Sequence, residues 1–562
     1  MMKKALTLLL SVILVFSAVC MAGAKENAPA ASPVIFICGF TGSGLYDENG
    51  YEVFPPVYDI PTAKDIVRLV PAVFLGMVTG QYGLMNRLLA ETFPNLLRDF
   101  NCSAIKPDGT DDYHLTVYSH EPSKCHSRGT DYTLRQIAKG TGGFHYNFYT
   151  DFRRNVVDVA DELDEFIDGV LKETGAQKVS LFGYSQGGSV AAAYMAEYGH
   201  KNLLDRVAFV NSPIFGTKTS SSAMNIRNLD LSLNSLMKLG KFLGVDIGLF
   251  NVLSNLIDVR FLNGALKAFE EEYLFPVALY WGGLWDMIPM DEYEDIKKML
   301  LDETEQAWLI EKSDEYHYQV MANLDKTIAA AMANGTQVSF ICGTDCRLVA
   351  NDNYNGDGVV DTYGASGAYS TTHGKTFPAD YQAKGTVCAD PAHNHISPDR
   401  SMDASTCMLP EHTWFTIGHG HCQYDEDPYM VELLTHLFCD DTVTDIHSDE
   451  RFPQFHYGTS YVNSVGIRFG DQPFGYLSAN DQQVTLTNYC EEEMTVRAIY
   501  VNGLLVYALK PITIEAGGEA SVKLSFLPKL KAHTAVKIRV DFQRADQKIK
   551  LNENAIVVYT AK

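Results

Sequence analysis

A serine at the centre of residues 183–187 (GYSQG) carries the clearest chemical signal in the sequence. An apolar run at 178–182 precedes it, and a small-residue segment, GSVAAAYMAEY, follows it. This order is typical of a strand, a sharp turn and a helix, with the serine held in a strained conformation and its hydroxyl exposed. Glycine is needed two residues before and after the serine, because side chains there would collide with the neighbouring strand and helix. The pattern predicts that Ser185 is a catalytic nucleophile.

A serine hydroxyl is a weak nucleophile at neutral pH and needs a histidine to accept its proton. His421 is the predicted base, because it lies in a glycine turn (GHGH) directly after an apolar strand run at 413–417. His419, two residues earlier in the same turn, is the alternative. In this arrangement the chain order is serine, acid, histidine, so the acid should lie between Ser185 and His421.

Two aspartates are candidates for the acid that orients the histidine. Asp345 follows the strand run at 337–342 almost directly, and Asp357 lies further on in a tight glycine turn. Position alone does not choose between them.

The oxyanion that forms during acyl transfer needs two N–H donors. The backbone N–H of Gln186, directly after the serine, is one predicted donor. The other is expected from the turn at 39–42, which follows the first apolar run, with Phe40 as the donor residue.

No metal or other cofactor is predicted. Residues 353–364 resemble a calcium loop, but Asn353 and Gly364 stand where such a loop has Asp and Glu, so calcium is not favoured. His373, His393 and His395 share a polar loop, yet their spacing matches no strong zinc pattern.

These residues need a sheet to position them. Apolar strand runs separated by helical segments predict a parallel sheet with helices on both faces. The predicted strands are 33–38, 178–182, 206–211, 337–342 and 413–417, and the apolar spacing from Asp151 to Thr174 predicts a helix that Gly175 ends. Residues 46–145 are expected to be irregular.

About 120 residues of helical periodicity after Pro213 interrupt the strand pattern. They are unusually apolar, above all at 236–257 and 280–287. One interpretation is a helical subdomain that buries its own core. The other is a lid whose apolar inner face receives an acyl chain.

The last hundred or so residues change character. Short alternating strand runs separated by turns predict a small antiparallel β-sandwich from near residue 455. It carries no evident chemistry, so its expected role is accessory: packing on the enzyme, or binding a surface or a glycan.

The first 24 residues read as a secretory signal peptide, with two lysines, a long apolar run and a small-residue end. The mature protein is therefore expected to be secreted and soluble. A net charge of −24 argues against nucleic acid and anionic membranes as partners. Ten of the eleven cysteines would remain after cleavage, an even number that suits disulfides, although the pairing cannot be read from the sequence.

Several motifs in order resemble the lecithin:cholesterol acyltransferase-like branch of the α/β-hydrolases. They are PVIFICGFTGSGLYD from Pro33, TDFR from Thr150, NSPIFGT from Asn211, GDGVV from Gly356 and the Gly418-x-x-His421 turn. Cys38, Phe152 and Gln186 depart from the family pattern, and the β-sandwich has no counterpart in it.

The strand pattern of the last hundred residues places the sandwich at 455–562. The resemblance implies an α/β-hydrolase domain over 33–445, with cap insertions at about 45–145 and 216–336. It also implies that Asp357 is the acid of a Ser185, Asp357, His421 triad. The expected activity is hydrolysis of lipid or other long-chain esters at a lipid interface, or acyl transfer to an alcohol.

Two other classes of function remain open from the sequence. One is a carbohydrate-ester or peptide hydrolase on the same fold, and the other is a non-catalytic protein that binds a surface through the sandwich. The broad apolar cap favours lipid, and the three triad residue types in order favour catalysis.

Overall fold

The computed structural model describes most of the chain outside its N-terminus and a segment of the cap. The described residues are 31–57, 63–126, 132–143, 145–225, 264, 267–348, 354–373, 375–390, 393–424, 427–457, 465–468, 476–478, 482–488, 492–507, 510–524, 535–544 and 547–558. The predicted signal peptide and the apolar stretch 236–257 lie outside them.

Seven parallel strands form the central sheet. In chain order they are β1 Val34–Ile37, β2 His145–Phe148, β3 Val179–Tyr184, β4 Leu204–Val210, β5 Gln337–Thr344, β6 Thr413–Ile417 and β7 Phe455–Tyr457. Their spatial order is β7-β6-β5-β4-β3-β1-β2, and every pair of neighbours is parallel. The direction in which strands are added reverses at β1. The carboxyl ends of β1 and β3 are therefore neighbours at one end of the sheet's strands.

Fourteen α-helices have both of their ends in the described residues. They are α1 Ala63–Thr79, α2 Gly83–Thr92, α3 Pro94–Cys102, α4 Tyr132–Gly140, α5 Val156–Thr174, α6 Gln186–Tyr198, α7 Lys218–Met224, α8 Phe275–Ala278, α9 Gly282–Trp285, α10 Met290–Leu300, α11 Ala307–Glu315, α12 Leu324–Ala333, α13 Thr362–Ser366 and α14 Pro428–Cys439.

Helices cover both faces of the sheet, as the strand pattern predicts. Side chains of α5, α6 and α12 share one apolar core with one face of the strands. Side chains of α4 and α14 share another core with the opposite face. The predicted helix before the serine strand is confirmed as α5, and Gly175 ends it with a φ of 72°.

Two expectations about the first half of the chain are wrong. Residues 46–145 are not irregular, because α1 to α4 lie there. The sheet also has an additional strand, β2, whose sequence HYNF is short and carries two polar residues, so its apolar pattern is weak. No described helix has the length and apolar character needed to cross a bilayer.

The strands of the last hundred residues form two further sheets. They are β8 Val465–Arg468, β9 Tyr476–Ser478, β10 Gln483–Asn488, β11 Met494–Val501, β12 Leu504–Tyr507, β13 Ile512–Ile514, β14 Glu519–Lys523, β15 Ala535–Arg544 and β16 Gln547–Val558. One sheet has the order β8-β10-β14, and the other has the order β9-β16-β15-β11-β12 with β13 beside β11. Both sheets contribute buried side chains to one apolar core, and only the pair β9 and β16 is parallel.

The start of this region differs from the expected boundary near residue 455. Phe455–Tyr457 pairs with β6 and extends the central sheet, and the ring of Phe455 stacks on Phe415 at 5.8 Å. The strands that pair only with one another begin at Val465.

None of the nine cysteines among the described residues forms a disulfide. Cys102 and Cys125, which would close a loop if paired, do not form a disulfide, and the thiol of Cys125 donates instead to the carbonyl of Ser119 at 3.2 Å. The disulfides that the even number of cysteines suggests are therefore not found in the described part of the chain.

A buried carboxyl group joins the cap to the start of α5. Asp286 is fully buried, and its Oδ2 accepts a hydrogen bond from the backbone N–H of Val156 at 2.7 Å. The amide of Asn155 donates to the same carboxyl at 3.0 Å. Burial raises the pKa of Asp286 to about 8, and these donors lower it only in part.

This pKa predicts that stability falls as the pH rises from about 4 to about 8. Over that range the folded protein holds a proton on Asp286 that the unfolded chain has lost, so the free energy of unfolding decreases by up to about 1.4 kcal/mol per pH unit. Urea unfolding of the wild type and Asp286→Asn at several pH values measures this. The variant should become more stable relative to the wild type as the pH rises, whereas Asp325→Asn, which changes an exposed carboxylate, should not. A constant difference between Asp286→Asn and the wild type would contradict the prediction.

Candidate active site

The turn between β3 and α6 places Ser185 at the carboxyl end of the sheet. Its backbone has φ 54° and ψ −129°, a strained conformation that residues other than glycine rarely adopt. The helix α6 begins at the next residue. The predicted strand, sharp turn and helix are therefore present. Ser185 is only 6% exposed, so the expectation of an exposed hydroxyl is wrong, because the turn at Gly39 and the ring of His421 pack against it.

The glycines on either side of the serine are required by close packing. A Cβ on Gly183 would lie 2.7 Å from the Cα of Gly188, at the start of α6. A Cβ on Gly187 would lie 2.1 Å from the carbonyl oxygen of Ile37, at the end of β1. These are the collisions with helix and strand that the motif predicts.

His421 lies against the serine. Its Nε2 is 3.0 Å from Ser185 Oγ, and the ring is nearly buried. The chain reaches this position through Gly418, whose φ of 79° lets it turn sharply after β6. The backbone carbonyl of His421 accepts hydrogen bonds from Tyr184 Oη at 3.0 Å and from Asn211 Nδ2 at 2.9 Å.

Asn211 and Tyr184 are positioning residues that the sequence reasoning missed. Asn211 Oδ1 also accepts from the backbone N–H of Gly343 at 2.8 Å, so this one side chain joins the ends of β4 and β5 to the histidine turn. Its φ of 49°, at the end of an apolar strand, is tolerated better by asparagine than by most residues. An asparagine directly after RVAFV was the available signal.

Asp357 holds the other side of the imidazole. Its Oδ2 lies 2.7 Å from His421 Nδ1, and the backbone N–H of His421 donates to the Asp357 carbonyl at 2.8 Å. The second carboxylate oxygen, Oδ1, accepts from the backbone N–H groups of Val359 and Val360 at 2.8 and 2.7 Å. The carboxylate is 2% exposed and is held at both oxygens.

Asp345, the alternative acid, lies elsewhere. Its carboxylate pairs with His373 at 3.1 Å, and its backbone has a φ of 59°. Burial raises the pKa of Asp345, and the neighbouring His373 lowers it in part. Among the two candidates the structure therefore brings Asp357, not Asp345, to His421.

His419, the alternative base, points away from the serine. It is buried, and its Nε2 faces the carboxylate of Asp427 at 3.8 Å, which also lies 3.5 Å from His456 Nε2. Burial lowers the pKa of His419, although Asp427 opposes this in part. Of the two histidines in the turn, only His421 meets Ser185.

Of the two predicted oxyanion donors, Gln186 follows the serine directly along the chain, and Phe40 lies in a turn that contacts the serine. A Cβ on Gly39 would lie 2.6 Å from Ser185 Cβ, so the turn that carries Phe40 packs directly against the serine. Neither the backbone N–H of Phe40 nor that of Gln186 donates to another group in the described part of the structure. Both are therefore available to an incoming oxygen.

The side chain of Gln186 has a role that its sequence position did not indicate. Its Nε2 donates to the carbonyl oxygens of Phe152 and Gly283, both at 3.2 Å, and the residue is 2% exposed. Gly283 lies in α9 of the second cap insertion and Phe152 lies just before α5, so the side chain after the serine binds both segments. A hydrophobic residue there, which the relatives of the resembled family carry, could not make these two hydrogen bonds.

Aromatic side chains cover the oxyanion turn. The ring of Phe40 lies 5.0 Å from Phe152 and 6.1 Å from Trp281, and Phe152 lies 4.7 Å from Phe54. Trp281 is buried and donates through Nε1 to the carbonyl of Ser103 at 2.9 Å. Phe54 of the first cap insertion and Trp281 of the second therefore belong to one aromatic cluster, and this cluster contacts the turn that packs against Ser185.

The described part of the second cap insertion also buries its own core. Trp285, with residues of α10 and α11, forms a compact apolar cluster. The interpretation as a helical subdomain fits these residues. The interpretation as a lid depends chiefly on 236–257, which lie outside the described residues.

The segment that resembles a calcium loop uses its carboxylates in other ways. Asp357 contacts the histidine, and Asp361 accepts from the backbone N–H groups of Lys218 and Gly364 at 2.8 and 3.0 Å. The first position, Asn353, lies outside the described residues. Calcium has no part in the function proposed below.

Comparison with known proteins agrees with this fold. A family model described as the alpha/beta hydrolase fold matches residues 117–299. No curated protein sequence matches the chain.

Two solved structures of a Bacillus licheniformis lipase, BlEst2, are similar to parts of the chain. The match to the mature form has 14% sequence identity and a TM-score of 0.20, and it spans 47% of this chain and 80% of the lipase chain. The match to the propeptide form has 10% sequence identity and a TM-score of 0.24, and it spans 94% of this chain and 74% of the lipase chain. These TM-scores are too low to support a statement about the site.

The seven-stranded parallel sheet with helices on both faces is the α/β-hydrolase fold, and the predicted fold class is confirmed. The fold and the matching family model support a hydrolase. The lecithin:cholesterol acyltransferase-like branch stays a prediction.

Proposed function

We propose that the protein is a secreted serine hydrolase that cleaves lipid or other long-chain carboxylic esters. The observation that carries the proposal is the hydrogen-bonded series from Ser185 Oγ to His421 Nε2 at 3.0 Å and from His421 Nδ1 to Asp357 Oδ2 at 2.7 Å. A serine in a strained turn, an imidazole and a buried carboxylate in this order are the components of acyl transfer.

In the proposed reaction Ser185 Oγ attacks the ester carbonyl while His421 Nε2 takes its proton. Asp357 accepts from His421 Nδ1–H, which keeps Nε2 unprotonated before the attack and stabilises the imidazolium after it. The backbone N–H groups of Phe40 and Gln186 stabilise the oxyanion. His421 then gives the proton to the departing alcohol, leaving an acyl group on Ser185.

A second half-reaction releases the acid. Water gives a proton to His421 Nε2 and attacks the acyl carbon, and the proton returns to Ser185 Oγ as the bond to the acyl group breaks. Replacing water by an alcohol gives acyl transfer by the same steps. Ser185, His421 and the acceptor carry every proton, so the proposal requires no cofactor.

The apolar surroundings support a lipid-like acyl group. Phe40, Phe152 and Trp281 form an apolar cluster at the proposed oxyanion turn; Phe152 and Trp281 are buried, and Phe40 is the partly exposed member that a long acyl chain would contact. An acetylated sugar or a peptide would present polar groups to this cluster. The cluster therefore favours lipid over the carbohydrate-ester and peptide alternatives.

An exposed apolar face on the first cap insertion supports action at a lipid surface. Val67, Phe74 and Val78 lie on one side of α1 and are 68%, 69% and 70% exposed. Exposed apolar side chains grouped on one helical face are typical of interfacial binding.

Turnover of p-nitrophenyl esters of increasing acyl length, presented in mixed micelles, tests the substrate class. We expect kcat/KM to rise from the acetate to the octanoate and longer esters, because each methylene buried against the aromatic cluster contributes about 0.8 kcal/mol at most. A fluorophosphonate probe should label the peptide that contains Ser185. Highest turnover on the acetate together with acetylated sugars would favour the carbohydrate esterase, and neither turnover nor labelling would favour the binding protein.

A further inference from the structure

A second group of chemically reactive side chains lies apart from the serine. Cys388, Glu411 and His447 place a thiol sulfur, a carboxylate oxygen and an imidazole nitrogen within 4.8 Å of one another. They come from three separate segments: the polar loop after β5, the turn Pro410–His412 before β6, and the loop between α14 and β7.

We propose that these three side chains bind a zinc ion. Sulfur, nitrogen and oxygen ligands together suit Zn²⁺, whereas calcium and magnesium take oxygen ligands. Ligand atoms around tetrahedral zinc lie roughly 3.5 Å apart, given bonds of about 2.0–2.3 Å. Since Glu411 and His447 are exposed and Cys388 is partly exposed, their side chains are free to close the remaining distance by rotation.

His393 is a neighbouring imidazole outside this set of three ligands. Its ring lies 5.0 Å from that of His447, and its Nε2 is 2.9 Å from Gln454 Oε1. The amide nitrogen of Gln454 donates to the carbonyls of Pro410 and Thr413, at 2.6 and 3.2 Å, so the amide orientation is set.

Gln454 Oε1 must therefore accept from His393 Nε2–H, which leaves Nδ1 unprotonated. An unprotonated ring nitrogen, with the other nitrogen held by a protein oxygen, is the form in which histidine binds metals.

A second histidine holds the cysteine in place. The backbone N–H of Cys388 donates to His395 Nε2 at 2.9 Å, and His395 is 2% exposed. The ring of His395 in turn lies 4.5 Å from that of His393. The buried imidazole of His395 therefore holds the backbone that carries the thiol, and the partly buried His393 lies beside it.

The site lies at the end of the sheet opposite the serine. Glu411 precedes the first residue of β6, while His421 follows the last one. Zinc here would join the loop between β5 and β6 to the loop before β7 and would contribute to stability. It takes no part in the proposed ester chemistry. No zinc pattern is evident in the sequence because the three ligands are 23 and 36 residues apart. His373, which shares the loop, pairs with Asp345 in the structure.

Metal binding to the full-length mature protein tests this proposal without any substrate. After chelation and gel filtration, we expect titration with Zn²⁺ alone to show one tight site per chain and a higher Tm. Co²⁺ in its place should give a thiolate-to-metal charge-transfer band. Cys388→Ser and His447→Ala should bind Zn²⁺ at least tenfold more weakly and lose both the Tm increase and the band.

The matched control is Cys102→Ser, which removes a partly buried thiol elsewhere and should bind Zn²⁺ as the wild type does. Chelation should leave ester turnover within about twofold, because Ser185 is at the other end of the sheet. The proposal is overturned if the wild type has no tight site, or if Cys388→Ser and His447→Ala both bind as the wild type does. Either result would leave the proposed ester hydrolysis untouched.

Discussion

Ser185→Ala is expected to lower kcat for a long-chain p-nitrophenyl ester by about 10⁶-fold. The substitution removes the atom that forms the acyl bond, and no other hydroxyl in the described structure lies within hydrogen-bonding distance of His421 Nε2. Substrate binding should change little, because the aromatic cluster is untouched. Single-turnover assays with enzyme in excess would measure the residual rate.

Ser189→Ala is the matched control. Ser189 is a buried serine of α6, four residues beyond Ser185, and is not hydrogen-bonded to His421. Its removal should leave kcat within a few-fold. Comparable turnover by Ser185→Ala and the wild type, with both folded by circular dichroism, would rule out the proposed nucleophile.

Asp357→Asn is expected to lower kcat by about 10⁴-fold while KM stays nearly constant. The amide oxygen would keep the two backbone hydrogen bonds from Val359 and Val360. Its NH₂ group would then face His421 Nδ1 and donate to it. The imidazole would have to carry its proton on Nε2, where it could no longer accept the proton of Ser185.

Asp345→Asn is the matched control for Asp357→Asn. It removes a carboxylate that also lies near the ends of the strands but does not contact His421. Asp345 pairs with His373 and does not reach His421, so kcat should stay within about tenfold of the wild type. Thermal unfolding of both variants checks that each is folded. If Asp345→Asn lost as much activity as Asp357→Asn, the assignment of the acid would be wrong.

The parts of the site that the sequence predicted are those with strong local constraints. Ser185 could be placed because glycines at 183 and 187, an apolar strand and a small-residue helix must all adjoin a nucleophile turn, and the packing distances agree. The strand that carries His421 could be placed for the same reason. In both places the residues that form the turn are neighbours in the sequence.

Other features had no local pattern to reveal them. The strand β2 is short and half polar, and β7 has only three residues, so neither stands out from a loop. The contact of the Gln186 side chain with Gly283 joins positions 97 residues apart. The cap helices α1 to α4 lie in a segment whose glycines, prolines and aspartates are typical of irregular structure.

By itself, the sequence determined the alternation of strands and helices, the nucleophile turn and the order serine, acid, histidine. These depend on neighbouring residues, through side-chain periodicity and glycine positions. Only the tertiary structure decided between Asp357 and Asp345, and between His421 and His419. Both histidines follow β6 within four residues, and Asp345 follows β5 directly whereas Asp357 lies 13 residues beyond it. Gly418 and the hydrogen bonds from Tyr184 and Asn211 bring His421 to the serine. Asp345 and His419 meet other partners.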